Sequence, residues 1–139
     1  MKKILLVIFL VAASVSLAQV KVPDKVKSAF EGKFPNATAV KWEADDDEYT
    51  ALFVSDSINF YTTIAEDGKW QETGVMIAYD NLPDAVKKSV KDKFKDNEIK
   101  CAYKVDDLNG IISYEVDVIK DGKVIELYYN KDGSDADDD

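Results

Sequence analysis

The chain says the same thing twice, and that repetition limits its folds more than any other feature. Val22-Pro23-Asp24-Lys25-Val26-Lys27 returns as Leu82-Pro83-Asp84-Ala85-Val86-Lys87, and six of twelve positions agree between Pro23–Phe34 and Pro83–Phe94. Farther on, the offset moves from 60 to 65, so that Tyr49 aligns with Tyr114, Asp56 with Asp121, and Asp67-Gly68 with Asp132-Gly133. The second copy carries five more residues between its helix and its first long strand, a change that loop closure tolerates at little cost. Whatever one copy folds into, the other must also fold into.

Each copy opens with a helical pattern. Val26, Phe30 and Phe34 recur at helical spacing, as do Val86, Val90 and Phe94, giving one apolar stripe per helix. Pro23 and Pro83 fit the first helical position, where a missing N–H costs nothing, and Asp24 and Asp84 suit the positive end of the helix dipole. Pro35 is expected to end the first helix and Asp96-Asn97 the second. Segments of period two follow: 39–43, 49–54, 58–65 and 69–77 in the first copy, then 99–105, 111–119 and 124–130 in the second. Ser55-Asp56-Ser57, Asp67-Gly68, Asn109-Gly110 and Asp121-Gly122 supply turn chemistry between them. The predicted fold is α+β: two tandem helix-plus-antiparallel-meander repeats, with the helices packed on one face of a curved antiparallel sheet.

The ends of the chain read differently. Met1-Lys2-Lys3, ten apolar residues from Ile4 to Ala13, then Ser16 and Ala18 at a cleavage site form a secretory signal peptide over 1–18. The apolar run is too short to span a bilayer, so no membrane insertion is expected after cleavage. Residues 19–133 then form the domain, as repeats 20–78 and 79–133, and 134–139 is expected to be a disordered acidic tail. The expected location is periplasmic or secreted.

Composition excludes chemistry. The chain has no histidine, so imidazole-based triads, acid–base pairs and zinc sites are out, and its one cysteine, Cys101, forbids an internal disulfide. A net charge of −9 argues against nucleic acid. No phosphate loop, nucleophile elbow or metal-spaced cluster appears. Asp132–Asp137 lacks the sixth-position glycine and twelfth-position glutamate of a calcium loop, and Asp106–Gly110 has no bidentate acid following at the right distance. No catalytic residue, metal or cofactor is therefore expected. Cys101 alternates with Ile99, Tyr103 and Val105, which places it on the apolar side of its strand as a small hydrophobe. Trp42 alternates with Val40 and reads as core, whereas Trp70, just after a turn, reads as near the surface.

Parity divides the sheet faces. Phe60, Thr62 and Ile64 point to the helix side, with Asn59, Tyr61 and Thr63 opposite. In the second copy Tyr114, Val116 and Val118 oppose Ser113, Glu115 and Asp117. Leu52, Tyr61, Thr63 and Tyr128 thus fall on the face without helices, and an acidic run, Asp45, Asp46, Asp47 and Glu48, links two strands. These eight residues are the candidate partner-binding set.

An exported chain with tandem [VL]-P-D-x-V-K…K-F units, each followed by a meander with Asp-Gly turns, resembles the PepSY-like proteins, also described as beta-lactamase-inhibitor-like. The resemblance runs from Val20 to Gly133. It implies a two-repeat fold outside the cytoplasm, no enzymatic activity, and a protein partner bound across the concave sheet face. It also implies that an acidic hairpin, here Asp45–Glu48, can enter the partner's active site. The inhibitors of that fold are larger and carry disulfides, which this chain does not. The expected function is an exported, non-catalytic module that binds a protein or peptide of the envelope. The alternatives are an inhibitor of an exported enzyme, or a cation-binding or structural envelope protein. The sequence does not indicate an oligomeric state.

Overall fold

The computed structural model describes residues 20–94 and 98–136. The expected signal peptide and the expected helix stop at Asp96-Asn97 lie outside the described residues, as does the chain beyond Ala136. Among the described residues, no helix is long and apolar enough to cross a membrane.

Helices α1 (Asp24–Lys33) and α2 (Asp84–Lys93) occupy equivalent places in the two repeats. Their prolines sit one residue earlier than predicted. Pro23 and Pro83 are cap residues in extended conformation (ψ 148° and 142°), and their carbonyls accept the first helical bonds from Lys27 and Lys87. A cap residue needs no N–H of its own, so proline is equally at ease there. Asp24 and Asp84 stand in the first turn as expected. Each helix stops at a phenylalanine, Phe34 or Phe94, whose N–H closes onto the residue four back.

The strands are β1 (Thr38–Asp45), β2 (Glu48–Ser55), β3 (Ile58–Ala65), β4 (Trp70–Ile77), β5 (Glu98–Asp107), β6 (Ile112–Lys120) and β7 (Lys123–Tyr129). They form an antiparallel sheet in chain order. The α+β expectation holds. The tight turns follow their residues: Asp56 and Ser57, like Asp121 and Gly122, all have positive φ, as the favoured two-residue hairpin requires.

The chain falls into two compact units. One runs to Val75 and takes in Asp107–Gly110; the other comprises Met76–Asp106 and the chain from Ile111 on. The first unit gathers the tip of the β5–β6 hairpin through a bond from Leu108 N–H to Gln71 O (2.7 Å).

In the first unit α1 packs Val26 and Phe30 onto Ala51, Phe53 and Ile64, with Trp42, Tyr49 and Phe60 alongside. This core is aromatic: Phe30 meets Trp42 and Phe53 edge-on at 5.2 and 5.1 Å, and Phe53 stacks on Phe60 at 5.4 Å. Trp42 is core-packed as predicted, but Val40 is 37% exposed. A register shift between Thr38 and Lys41, with Ala39 at φ 52°, breaks the alternation there. Trp70 is half-buried. Its Nε1–H donates to Thr73 Oγ1 (2.8 Å) and Thr62 Oγ1 (3.2 Å), and Lys33 Nζ lies 4.1 Å from its ring centroid. In the second unit α2 packs Val86 and Val90 onto Ala102, Tyr114, Val116, Val118 and Tyr129, a core dominated by valine.

Candidate functional site

On the side of the first unit away from α1, the strand register sets out two rows. Leu52 faces Tyr61 and Tyr61 faces Gly74; Thr50 faces Thr63 and Thr63 faces Glu72. Parity placed Tyr61 and Thr63 correctly, but their expected exposure is corrected. Tyr61 is 8% exposed and Thr63 5%. The Tyr61 ring lies over Gly74, where no side chain competes for the space, and Thr63 Oγ1 hydrogen-bonds Thr50 Oγ1 at 3.1 Å. Leu52 is half-buried. These residues make a packed surface with little area left to wet.

The acidic run fares differently. Asp45 ends β1, Glu48 begins β2, and the two pair across a turn made by Asp46 and Asp47. All four side chains are exposed. Asp46 adopts φ 48°, a left-handed conformation that aspartate tolerates better than most residues. The Glu66 N–H holds Asp47 O at 2.8 Å, fastening the turn to the β3–β4 connection. Four carboxylates are therefore presented on a short, tied hairpin.

The second unit holds an arrangement that the sequence reading missed. A register shift between Ile99 and Cys101 flips the parity of β5, so that Ala102 faces Val116 in the core while Cys101 faces Asp117 and Tyr103 faces Glu115. Cys101 is thus on the side away from α2, not the apolar side, because the extra residue at the bulge turns the strand over. On β7, Glu126 faces Asp117 and Tyr128 faces Glu115. One carboxylate oxygen from each of Glu115, Asp117 and Glu126 lies within 4.8 Å of the others. Glu115 is 5% exposed and Asp117 7%. Cys101 Sγ–H donates to Asp117 Oδ2 at 3.1 Å, and Tyr128 O–H donates to Glu126 Oε2 at 3.3 Å. Burial first, and then the Asp117 charge, pushes the Cys101 thiol up to about 12; burial also raises Tyr103. Period-two reading put Glu115, Asp117 and Glu126 on this side, but only the cross-strand register sets Glu126 opposite Asp117 and brings the Cys101–Tyr103 pair to them.

The expected tail is corrected in part. Asp135 forms a bridge with Tyr129, Ala136 N–H donates to Tyr128 O (2.9 Å), and Lys93 Nζ pairs with Asp135 at 2.6 Å. Since Tyr129 and Asp135 stand 65 residues after Ile64 and Trp70, which also pair, residues 134–136 are the stub of a fourth strand for the second repeat. Lys93 reaches Asp135 where its counterpart Lys33 reaches Trp70.

The family model described as "Putative beta-lactamase-inhibitor-like, PepSY-like" matches twice in tandem, over residues 11–65 and 62–134. No curated protein matches the sequence. The chain resembles a crystal structure described as putative periplasmic proteins from Bacteroides eggerthii, at 20% identity and TM-score 0.69, covering 84% of this chain and 87% of that one. A DUF2874 family protein from Bacteroides ovatus is similar at 21% identity and TM-score 0.65, covering 84% and 86%. A BLIP-like protein from Bacteroides fragilis follows at 22% and 0.60, covering 84% of each chain. With its duplicated helix-and-meander unit matched along most of its length, the chain belongs to the PepSY-like, beta-lactamase-inhibitor-like family.

Proposed function

We propose that this protein is an exported, non-catalytic binding module whose β1–β2 hairpin offers Asp45, Asp46, Asp47 and Glu48 to a basic site on a protein or peptide of the periplasm or cell exterior. The basic, then apolar start of the chain supports export. So does the periplasmic description of the Bacteroides eggerthii relative. The observation that carries the binding reading is the hairpin itself: four exposed acids in sequence, held by the Glu66–Asp47 backbone bond. A tied loop loses little conformational freedom on binding, and clustered charge steers an oppositely charged partner. Leu52 lies next to β1 and adds apolar surface, while Tyr61 and Thr63 support it from the neighbouring strand. Tyr128 belongs with the acids of the second unit.

Asp45→Asn, Asp46→Asn, Asp47→Asn and Glu48→Gln together test this reading, since asparagine keeps the left-handed turn accessible. Capture from envelope extract should recover one partner with the native protein, decline with salt, and fail with the neutralised protein at unchanged melting temperature. Recovery of the same partner by both proteins would refute the hairpin's role. A second, narrower reading is inhibition of an exported hydrolase, favoured by the family description and the BLIP-like relative. Beta-lactamase turnover measured with micromolar protein tests it, and the hairpin variant should abolish any inhibition seen.

A further inference from the structure

The two repeats provide an internal control on the acids of the second unit. At an offset of 65, Glu115, Asp117 and Glu126 stand where the first repeat has Thr50, Leu52 and Tyr61. The first unit forms the same β2–β3 pairing with those neutral side chains, Leu52 opposite Tyr61, as the second does with Asp117 opposite Glu126. The scaffold therefore does not require carboxylates here. Burying charge without compensation is costly, and Glu115 and Asp117 are each more than nine-tenths buried.

Asp117 shows what is lacking. Its Oδ2 accepts the Cys101 thiol proton, but its Oδ1 is buried with no hydrogen-bond partner. An orphaned carboxylate oxygen beside two more carboxylates is a set of cation ligands.

We propose that Glu115, Asp117 and Glu126 form a calcium site on the β5–β6–β7 face of the second unit. Calcium takes oxygens at about 2.3–2.6 Å, so ligands on opposite sides of the ion stand roughly 4.6–5.2 Å apart. The three oxygens, all within 4.8 Å of one another, are close enough to share one such ion. Magnesium, which dehydrates reluctantly and is usually held through only one or two carboxylates, suits a set of three protein carboxylates less well. Zinc accepts carboxylates too, but its sites are built mainly on imidazole and thiolate. The chain has no histidine, and the Cys101 Sγ–H is engaged as a donor to Asp117 Oδ2. Glu126 is only half-buried, which leaves that side open to ligand waters. Calcium sites in extracellular modules bind at about 10⁻⁴–10⁻³ M, and the proposed affinity falls there.

The test is calcium-dependent melting of the purified protein, with terbium luminescence sensitised by Tyr103 and Tyr128 as a direct binding readout. Calcium should raise the melting temperature saturably by mass action, and magnesium should do so far less. Asp117→Asn should weaken binding at least about tenfold, as loss of one charged ligand does. Asp117→Leu, which installs the first repeat's residue, should fold and lose the calcium response altogether. The neutralised β1–β2 hairpin should keep the full response, so that this site and the proposed partner site fail independently. The proposal is overturned if about 10 mM calcium, tenfold above the weak end of that range, changes neither melting nor terbium emission. It is equally overturned if Asp117→Leu responds like the native protein, or if zinc alone binds and Cys101→Ser abolishes it.

Discussion

The ring of Tyr61 lies across Gly74 on the adjoining strand, so closely that a Cβ built on Gly74 would fall 2.6 Å from Tyr61 Cζ and 2.8 Å from Cδ1. The glycine is not there for an unusual backbone angle. It leaves a hollow in the sheet surface, and the tyrosine fills it, an aromatic covering of a strand glycine. This is why a tyrosine on the helix-free side is buried.

Gly74→Ala should therefore destabilise the protein by about 1–3 kcal/mol, the usual cost of forcing a methyl into a packed site. In a Tyr61→Ala background the same change should cost little, because the obstructing ring is gone. Urea unfolding of the four proteins gives the coupling directly. Equal costs in both backgrounds would show that the ring does not occupy the hollow.

Gly133 and Gly110 separate backbone strain from crowding. Both have positive φ, 83° and 74°. A Cβ at Gly110 meets open space, whereas one at Gly133 falls 2.6 Å from the backbone oxygen of Ala85. Gly110→Ala should cost about 1–2 kcal/mol, the ordinary penalty for a left-handed alanine. Gly133→Ala should cost clearly more, since backbone cannot swing aside, and should also loosen the Ser89 Oγ–Gly133 O bond of 2.7 Å. Chemical denaturation checks the order of the two.

Cys101 gives the protein an alkaline weakness. Folding raises its thiol to about 12, while in the unfolded chain it titrates near its ordinary value of about 8.5. The stabilisation is complete below the unfolded value and is lost as pH rises towards the folded one, because the unfolded state releases a proton that the native state retains. Cys101→Ala should flatten the fall in stability across that window, measured by urea unfolding at successive pH values. The native thiol should also react slowly with disulfide reagents near pH 8, because thiolate is the reactive form.

Local regularities carried the fold. The valine and phenylalanine stripes specified both helices, and Asp-Ser and Asp-Gly pairs specified the two-residue hairpins. The duplication made each copy a check on the other. What the sequence did not disclose came from bulges and cross-strand register. One extra residue near Lys100 turned Cys101 from core to the acid cluster, and another near Ala39 left Val40 outside. Nothing in a single strand says that Asp117 will face Glu126, because the pairing depends on a turn and a bulge elsewhere. The exposed acids of the β1–β2 hairpin were legible for the opposite reason: a run of charges between two period-two segments marks a turn, although Asp45 and Glu48 themselves close the strands on either side of it.

The stub of the fourth strand gives the last test. Lys93 leaves the end of α2 and pairs with Asp135 at 2.6 Å, beside the Tyr129–Asp135 bridge and the Ala136 N–H to Tyr128 O bond. A partly exposed ion pair contributes only about 0–1 kcal/mol to global stability, so Lys93→Ala should leave the melting curve nearly unchanged. Its effect should be local, because a terminal segment opens with a free energy far below that of the core. Amide exchange at Ala136, which donates to Tyr128, should accelerate several-fold, while exchange at core amides such as Val116 stays the same. Lys33→Ala, the equivalent change in the first repeat, should remove the contact with Trp70 and leave Ala136 untouched. Unaltered exchange at Ala136 in the Lys93 variant would mean that the backbone bridge alone secures the chain's end.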